Sequence, residues 1–261
     1  MIPDSMSVPV TLTRRAAPAV RLLAVLACVL LGACAAPDPV PDYRNIVLSE
    51  DRTDADRVID QRREPQKLLE FYAVRPGMQV LDMSAGRGHN TELLARVVGP
   101  KGRVYAQSSP KLMFPAAKAA LEERLKTRAM SNVTFVIREF EDPVPPEVRN
   151  LDLITFNFNY HDTVWLGTDR ARMNRAVFEA LKPGGVYIVA DHSAQPGAGV
   201  NVAKSLHRIE ESVVRQEVLA AGFRLAGSGE FLRNANDPRD VPVSKNPVRN
   251  DEFVLKFVKP K

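Results

Sequence analysis

Two short segments of the chain gather residue types that can move a proton, and a third can hold a ligand against bare backbone. "FNFNYHD" carries Tyr160, His161 and Asp162 in a row, and "ADHSA" sets Asp191 beside His192. An imidazole steered by a neighbouring carboxylate suits general base work near neutral pH. The competing reading of each pair is an ordinary loop whose aspartate caps the next helix. The third segment, "LDMSAGRGHN" from Leu81, ends an apolar run in Asp82 and follows it with Gly86 and Gly88. Without Cβ atoms a ligand can lie close to the chain there, and a following helix offers free N–H groups. A glycine pair can also be no more than a tight turn, but an acid on the same loop favours a ligand site. The remaining candidates read as structural. His89 fills the turn, His207 faces solvent on a helix, and Phe158 and Trp165 either line a pocket or join the core. No two ligand-type residues stand at helical or loop spacing for a metal, so no metal site is expected.

These residues need a scaffold that brings strand ends together, and the pattern supplies one. Helical periodicity runs from Arg52 to Val74, broken near Pro65, with Leu68, Leu69 and Phe71 inward. Strands are predicted at 79–83, 103–107, 133–137, 151–158 and 186–191. Helices fall between them at 90–98, around Leu112 to Leu125, and from Asp169 to the "KPGG" turn. A long amphipathic helix is predicted to place Val202, Leu206, Ile209 and Val213 on one face. "GFRLAGSGEF" and "DEFVLKFVKP" then form a hairpin across a polar surface loop, Arg233 to Asn250. Alternation of strand and helix predicts an α/β, doubly wound, mostly parallel seven-stranded sheet with an antiparallel C-terminal hairpin. Ligands bind such sheets outside the carboxyl ends of the strands, where His161, His192 and the glycines fall.

The start of the chain points elsewhere. Arg14, Arg15 and Arg21 precede an apolar stretch from Leu22 to Ala33, too short to span a bilayer but suited to a signal-peptide core. "LLGAC" resembles the lipobox of bacterial lipoproteins, which implies a lipidated Cys34 as the mature N-terminus. The expected organisation is a signal peptide over 1–33, a proline-bearing tether over 34–50 and a folded domain over 51–261. The expected location is the cell envelope, with the domain in the periplasm and a membrane bond through Cys34. An unused N-terminal extension would leave the domain cytoplasmic. The only other cysteine, Cys28, lies inside the signal core, so no disulfide or thiol nucleophile is expected in the domain. Removing 1–33 takes away three arginines and Asp4, and the formal charge falls from +5 to +3. No run of basic residues marks a nucleic-acid surface.

Two cofactor classes use an acid-and-glycine loop of this kind. A nicotinamide dinucleotide asks for G-x-G-x-x-G, but the third position is Thr91. S-adenosylmethionine carries no phosphates and asks for an acid ahead of the glycines. Asp82, Ser84, Gly86 and Gly88 resemble motif I, D-x-G-x-G-x-G, of the class I methyltransferases, with Ser84 in place of the first glycine. "NVTFVIREFEDP" resembles the third-strand motif and "LKPGG" the turn before the fifth strand. "VLDMSAG", "DHSA", "LHRIE" and "FVLKFVKP" resemble a bacterial group of predicted methyltransferases, so that the likeness covers Pro65 to Pro260. The resemblance implies a Rossmann-like methyltransferase fold and S-adenosylmethionine held by Asp82, Ser84, Gly86, Gly88, Gln107 and Glu139. Gln107 stands where the family usually grips the ribose with an acid, and Arg87 puts a long side chain on the loop. The implied activity is methyl transfer to a small-molecule acceptor, with His192, Asp191 and His161 as catalytic candidates. The alternative is a catalytically degenerate binding module on the same fold.

Overall fold

A computed structural model describes residues 40–261 together with residues 1, 9 and 11. The expected signal core and Cys34 lie outside the described residues. Among those described, no helix is long and apolar enough to cross a membrane.

Three short helices lead in: α1 (Tyr43–Val47), α2 (Asp54–Arg63) and α3 (Pro65–Tyr72). Part of the stretch expected to be tether is thus folded; Tyr43 is buried and its hydroxyl donates to the Val74 carbonyl at 2.7 Å. Thr53 caps α2, and Pro65 sits in the first turn of α3, where its missing N–H costs nothing. Leu68 and Leu69 are buried as expected, joined by Tyr72.

The core then alternates: β1 (Gln79–Met83), α4 (His89–Val98), β2 (Arg103–Ser108), α5 (Pro115–Arg124), β3 (Val133–Ile137) and β4 (Leu151–Asn157). It continues through α6 (Asp162–Trp165), α7 (Arg170–Ala180), β5 (Leu181–His192), α8 (Ala203–Leu206), α9 (Glu211–Ala220), β6 (Arg224–Gly229) and β7 (Glu252–Val258). The seven strands stand in the order β3-β2-β1-β4-β5-β7-β6. The first five are parallel, and β7 runs antiparallel to both β5 and β6. This is the predicted sheet, and its order reverses between β1 and β4, where the glycine loop emerges.

Each face of the sheet carries its own apolar core. Val80, Leu153, Ile188 and Val254 pack with α3 and α4 on one side. Leu81, Ile154, Val189 and Leu255 pack with α7 and α9 on the other. Side chains alternate along a strand, so neighbours in sequence serve opposite faces. Asp82 therefore shares the α4 face with Val80, and Asp191 and His192 part company.

Two expected elements differ. The long amphipathic helix is two helices, because His207 adopts the left-handed conformation (φ 54°) and stops α8. Ile209 then lies parallel to Ser193, exchanging backbone hydrogen bonds with the end of β5. Val214 and Val218 rather than Val202 and Val213 become the buried face of α9. Arg208 drives this arrangement: fully buried, it forms an ion pair with Asp237 at 2.8 Å and donates to the Ser193 carbonyl. A buried guanidinium must be paired, and its partner comes from the segment expected to be a surface loop. Asp237 and Asn250, both in that segment, are buried with it.

Candidate active site

The glycine loop is shaped by backbone conformation. Ser84, Gly86 and Gly88 all have positive φ, at 57°, 57° and 83°. The two glycines do different work. A Cβ on Gly86 would meet nothing nearer than the Ser84 carbonyl at 3.9 Å, so open space lies against this backbone. A Cβ on Gly88 would sit 2.7 Å from Leu121 and 3.0 Å from Arg124. Gly88 lets α5 pack against the loop.

Asp82 is buried beneath the loop. Its carboxylate accepts from Thr91 Oγ1 at 2.6 Å, Asn90 Nδ2 at 2.7 Å and Thr155 Oγ1 at 2.8 Å. Burial pushes its carboxyl above the usual range, against the pull of these three donors. The acid ties α4 and β4 to β1. Gln107 is buried too: Oε1 accepts from the Ser84 N–H at 3.0 Å and Nε2 donates to the Arg138 carbonyl at 2.6 Å. Both ends of its amide are therefore spent on backbone, which corrects the expectation that it faces a ribose. Glu139 is exposed, with its carboxylate 3.3 Å from Ser109 Oγ, and neither it nor Gln107 lines the cavity at the loop.

That cavity, about 210 Å³, is bounded by Ser84, Gly86 and Asn90, by Asn157 and Asn159 from the end of β4, and by Ile59, Arg62 and Arg63 of α2. Helix α2 is held over it by charge. Asp60 meets Arg52 and His89, and Asp56 meets Arg124, which also pairs with Glu92 and donates to the Arg87 carbonyl at 3.1 Å. Burial raises the Asp56 carboxyl, but the Arg124 and Thr53 hydrogen bonds outweigh it and hold it at about 2. His89 thus serves α2 rather than merely filling the turn. The Arg63 guanidinium lies 3.6 Å from the centre of the Phe158 ring, and its Nε has no protein partner. Burial pushes it down to about 10. Arg63 gave no signal in the sequence, because its place depends on how α2 folds back.

The strand ends carry the titratable cluster, wired differently from its order in sequence. Asp191 belongs to His161: it accepts from His161 Nδ1 and from the His161 backbone N–H, each at 2.7 Å. His192 points to the other face, where its ring meets Phe158 at 5.4 Å and Nδ1 lies 3.0 Å from Glu252 Oε1, off the line of a hydrogen bond. The Asp191 and His192 side chains are therefore not paired with each other. Glu252 was missed, although its register opposite His192 follows from the antiparallel pairing of β7.

His161 is nearly buried between two carboxylates. Burial would lower its affinity for a proton, but Asp191 and Asp162 outweigh this and raise it to about 10. The two carboxylates thus draw positive charge to this ring. Asp162 is fixed by Asn159 Nδ2 at 2.7 Å and Trp165 Nε1 at 2.9 Å. Asn159 also accepts from Ser84 Oγ at 3.0 Å, joining this cluster to the glycine loop. His207, expected on a solvent face, arrives with its Nδ1 3.3 Å from His161 Nε2. Spacing gave no hint of a metal, yet His161, Asp162 and His207 present three ligand atoms within 4.8 Å of one another.

The buried amide makes a clear expectation. Gln107→Glu should not tighten cofactor binding; it sets a carboxylate oxygen against the Arg138 carbonyl and should cost about 1–3 kcal/mol of stability. Chemical denaturation and cofactor titration of the variant check both, and a tighter complex at full stability would contradict this geometry.

Comparison with known proteins agrees with this architecture. The family described as "Methyltransferase domain" matches residues 75–221. The ubiquinone/menaquinone biosynthesis C-methyltransferase UbiE of Shewanella oneidensis is 31% identical over 125 residues, 48% of this chain and 47% of the relative. UbiE of Vibrio vulnificus is 32% identical over 126 residues, 48% of this chain and 45% of the relative. The chain thus spans about half the length of these curated relatives. Among solved structures, a SAM-dependent methyltransferase from Aquifex aeolicus superposes with a TM-score of 0.56 at 20% identity, covering 84% of this chain and 98% of that one. An arsenic(III) S-adenosylmethionine methyltransferase from Chlamydomonas reinhardtii gives 0.56 at 20% identity, over 85% of this chain and 74% of that one. The family match takes in more than half of the chain, which therefore belongs to the methyltransferase domain family and carries its class I, S-adenosylmethionine-type fold.

Proposed function

We propose that this protein transfers a methyl group from S-adenosylmethionine to a small-molecule acceptor, held at the cell envelope by a lipid on Cys34. The open space against Gly86 carries the cofactor assignment, since the residues around it fit the group that the family implies. Bound there, S-adenosylmethionine would supply an electrophilic methyl group. The backbone of Ser84 to Gly86 gives the close approach, and the α4 N-terminus gives free N–H groups. Arg62 and Arg63 put positive charge beside the loop, suited to the carboxylate end of the ligand, and α2 helps to exclude water. A nicotinamide dinucleotide would lack its third glycine.

Methyl transfer asks the protein mainly to position the acceptor, with a base where the acceptor carries a proton. The base proposed is His192, beside Glu252 and Phe158. The UbiE relatives are named for carbon methylation in quinone biosynthesis, and their likeness supports including quinone precursors among the acceptors to be tried.

Calorimetry of the purified protein should show binding of S-adenosylmethionine and none of NADH. Gly86→Val should abolish that binding, because a β-branched residue fills the ligand's space and resists positive φ. His192→Ala should bind the cofactor as the wild type does and, with an acceptor in hand, turn over about 100- to 10,000-fold more slowly. No heat with S-adenosylmethionine would remove the basis of the assignment; binding without turnover of any acceptor would favour the binding module.

The envelope location rests on Arg14 to Cys34 and has its own check. Expressed in a bacterial host, the chain should sediment with membranes and gain lipid mass at Cys34, and Cys34→Ser should leave it unprocessed or released. A soluble product starting at Met1 would overturn it.

A further inference from the structure

The cluster of His161, Asp162 and His207 has more order than an acceptor wall needs. Its three inner atoms form a nearly regular triangle. His161 Nε2 lies 3.3 Å from His207 Nδ1 and 3.2 Å from Asp162 Oδ1, and the third side, His207 Nδ1 to Asp162 Oδ1, is 3.6 Å. A tetrahedral divalent ion with bonds of about 2.0–2.1 Å places its ligand atoms about 3.3–3.4 Å apart. The same separations are long for hydrogen bonds, and one proton on His161 Nε2 could not serve both neighbours well.

Each inner residue is also oriented from behind. His161 gives its other ring nitrogen to Asp191, the carboxylate–histidine arrangement that fixes the tautomer and leaves Nε2 as the ligand atom. Asp162 is held on both oxygens by Asn159 and Trp165. His207 is held by its backbone, in a left-handed conformation unusual for a non-glycine residue. That conformation ends α8 and allows Ile209 to bond to the end of β5, which brings the His207 ring over the strand ends. Asp162 and Asp191 bring two carboxylates to a mostly buried site, and a divalent cation bound in place of the His161 proton would balance them.

We propose that His161 Nε2, His207 Nδ1 and Asp162 Oδ1 form a three-ligand site for a divalent transition metal of the zinc class, with Asp191 as the outer partner of His161. The donor set favours zinc or cobalt over magnesium or calcium, which prefer oxygen throughout. Three protein ligands leave a fourth corner open, the pattern of sites that admit water or a substrate oxygen. His207 is 44% exposed against 3% for His161 and 6% for Asp162, so the open corner lies on its side. The site stands on these residues alone and does not depend on the cofactor assignment.

Untagged full-length protein, stripped with a chelator, tests it. Titrated with cobalt, the wild type should take up one ion per chain and develop the visible absorption of a low-coordinate site, and zinc should displace it. His207→Ala touches a half-exposed ring, should fold normally, and should lose stoichiometric uptake. Asp191→Asn should keep the site but weaken it on the order of 10- to 100-fold. No uptake by the folded wild type, or uptake by His207→Ala equal to that of the wild type, would overturn the proposal.

Discussion

The Asp82 carboxylate holds the switch point of the sheet together. It is buried, and it takes hydrogen bonds from two residues of α4 and one of β4. A buried carboxylate without donors would cost several kcal/mol, so strand, helix and neighbouring strand are obliged to meet at one place. The glycine loop between β1 and α4 is stretched over that anchor, and Gln107 fixes it from the other side by joining the Ser84 N–H to the Arg138 carbonyl. The left-handed turns at Ser84 and Gly86 are conformations that this double anchorage imposes. What results is a stretch of exposed backbone whose position is set by buried polar groups on both sides.

Alternation along β5 decides the rest of the site. Asp191 and His192 are adjacent in sequence and must face opposite ways, so Asp191 serves His161 and His192 meets Glu252. One face therefore holds His161 between two acids, and the other holds His192 beside Phe158 and Glu252. These are different electrostatic settings a few ångströms apart, with the rings of His161 and His192 6.0 Å from centre to centre. Asn159 links the first setting to the glycine loop, and Arg63, stacked on Phe158, links the second to α2.

The sheet was legible because its signals are local: alternating strand and helix, glycine turns, and a terminal pair of strands with no helix between. The glycine loop and both histidines at the strand ends were legible for the same reason. Which carboxylate serves which histidine depends on strand phase, and period two applied to "ADHSA" would have separated Asp191 from His192. His207 was not legible, since Ile209 suits either a helix face or an extended bridge, and the choice is made by Arg208 burying itself against Asp237, distant in sequence. Gln107 looked like a weakened ribose contact because position in a motif does not reveal which way an amide points. Arg63 and the ionic ties of α2 were hidden because they arise only when the leading helices fold back over the loop.

The space against Gly86 is the proposed cofactor site, with the transferred group facing the strand-end histidines. A crystal structure with S-adenosylhomocysteine tests it most directly. The ligand should lie along the Ser84–Gly86 backbone beneath α2, with its sulfur directed toward the side of Asn159 and His192. Density for the ligand elsewhere on the protein, with the Gly86 loop unoccupied in crystals grown at saturating concentration, would contradict it.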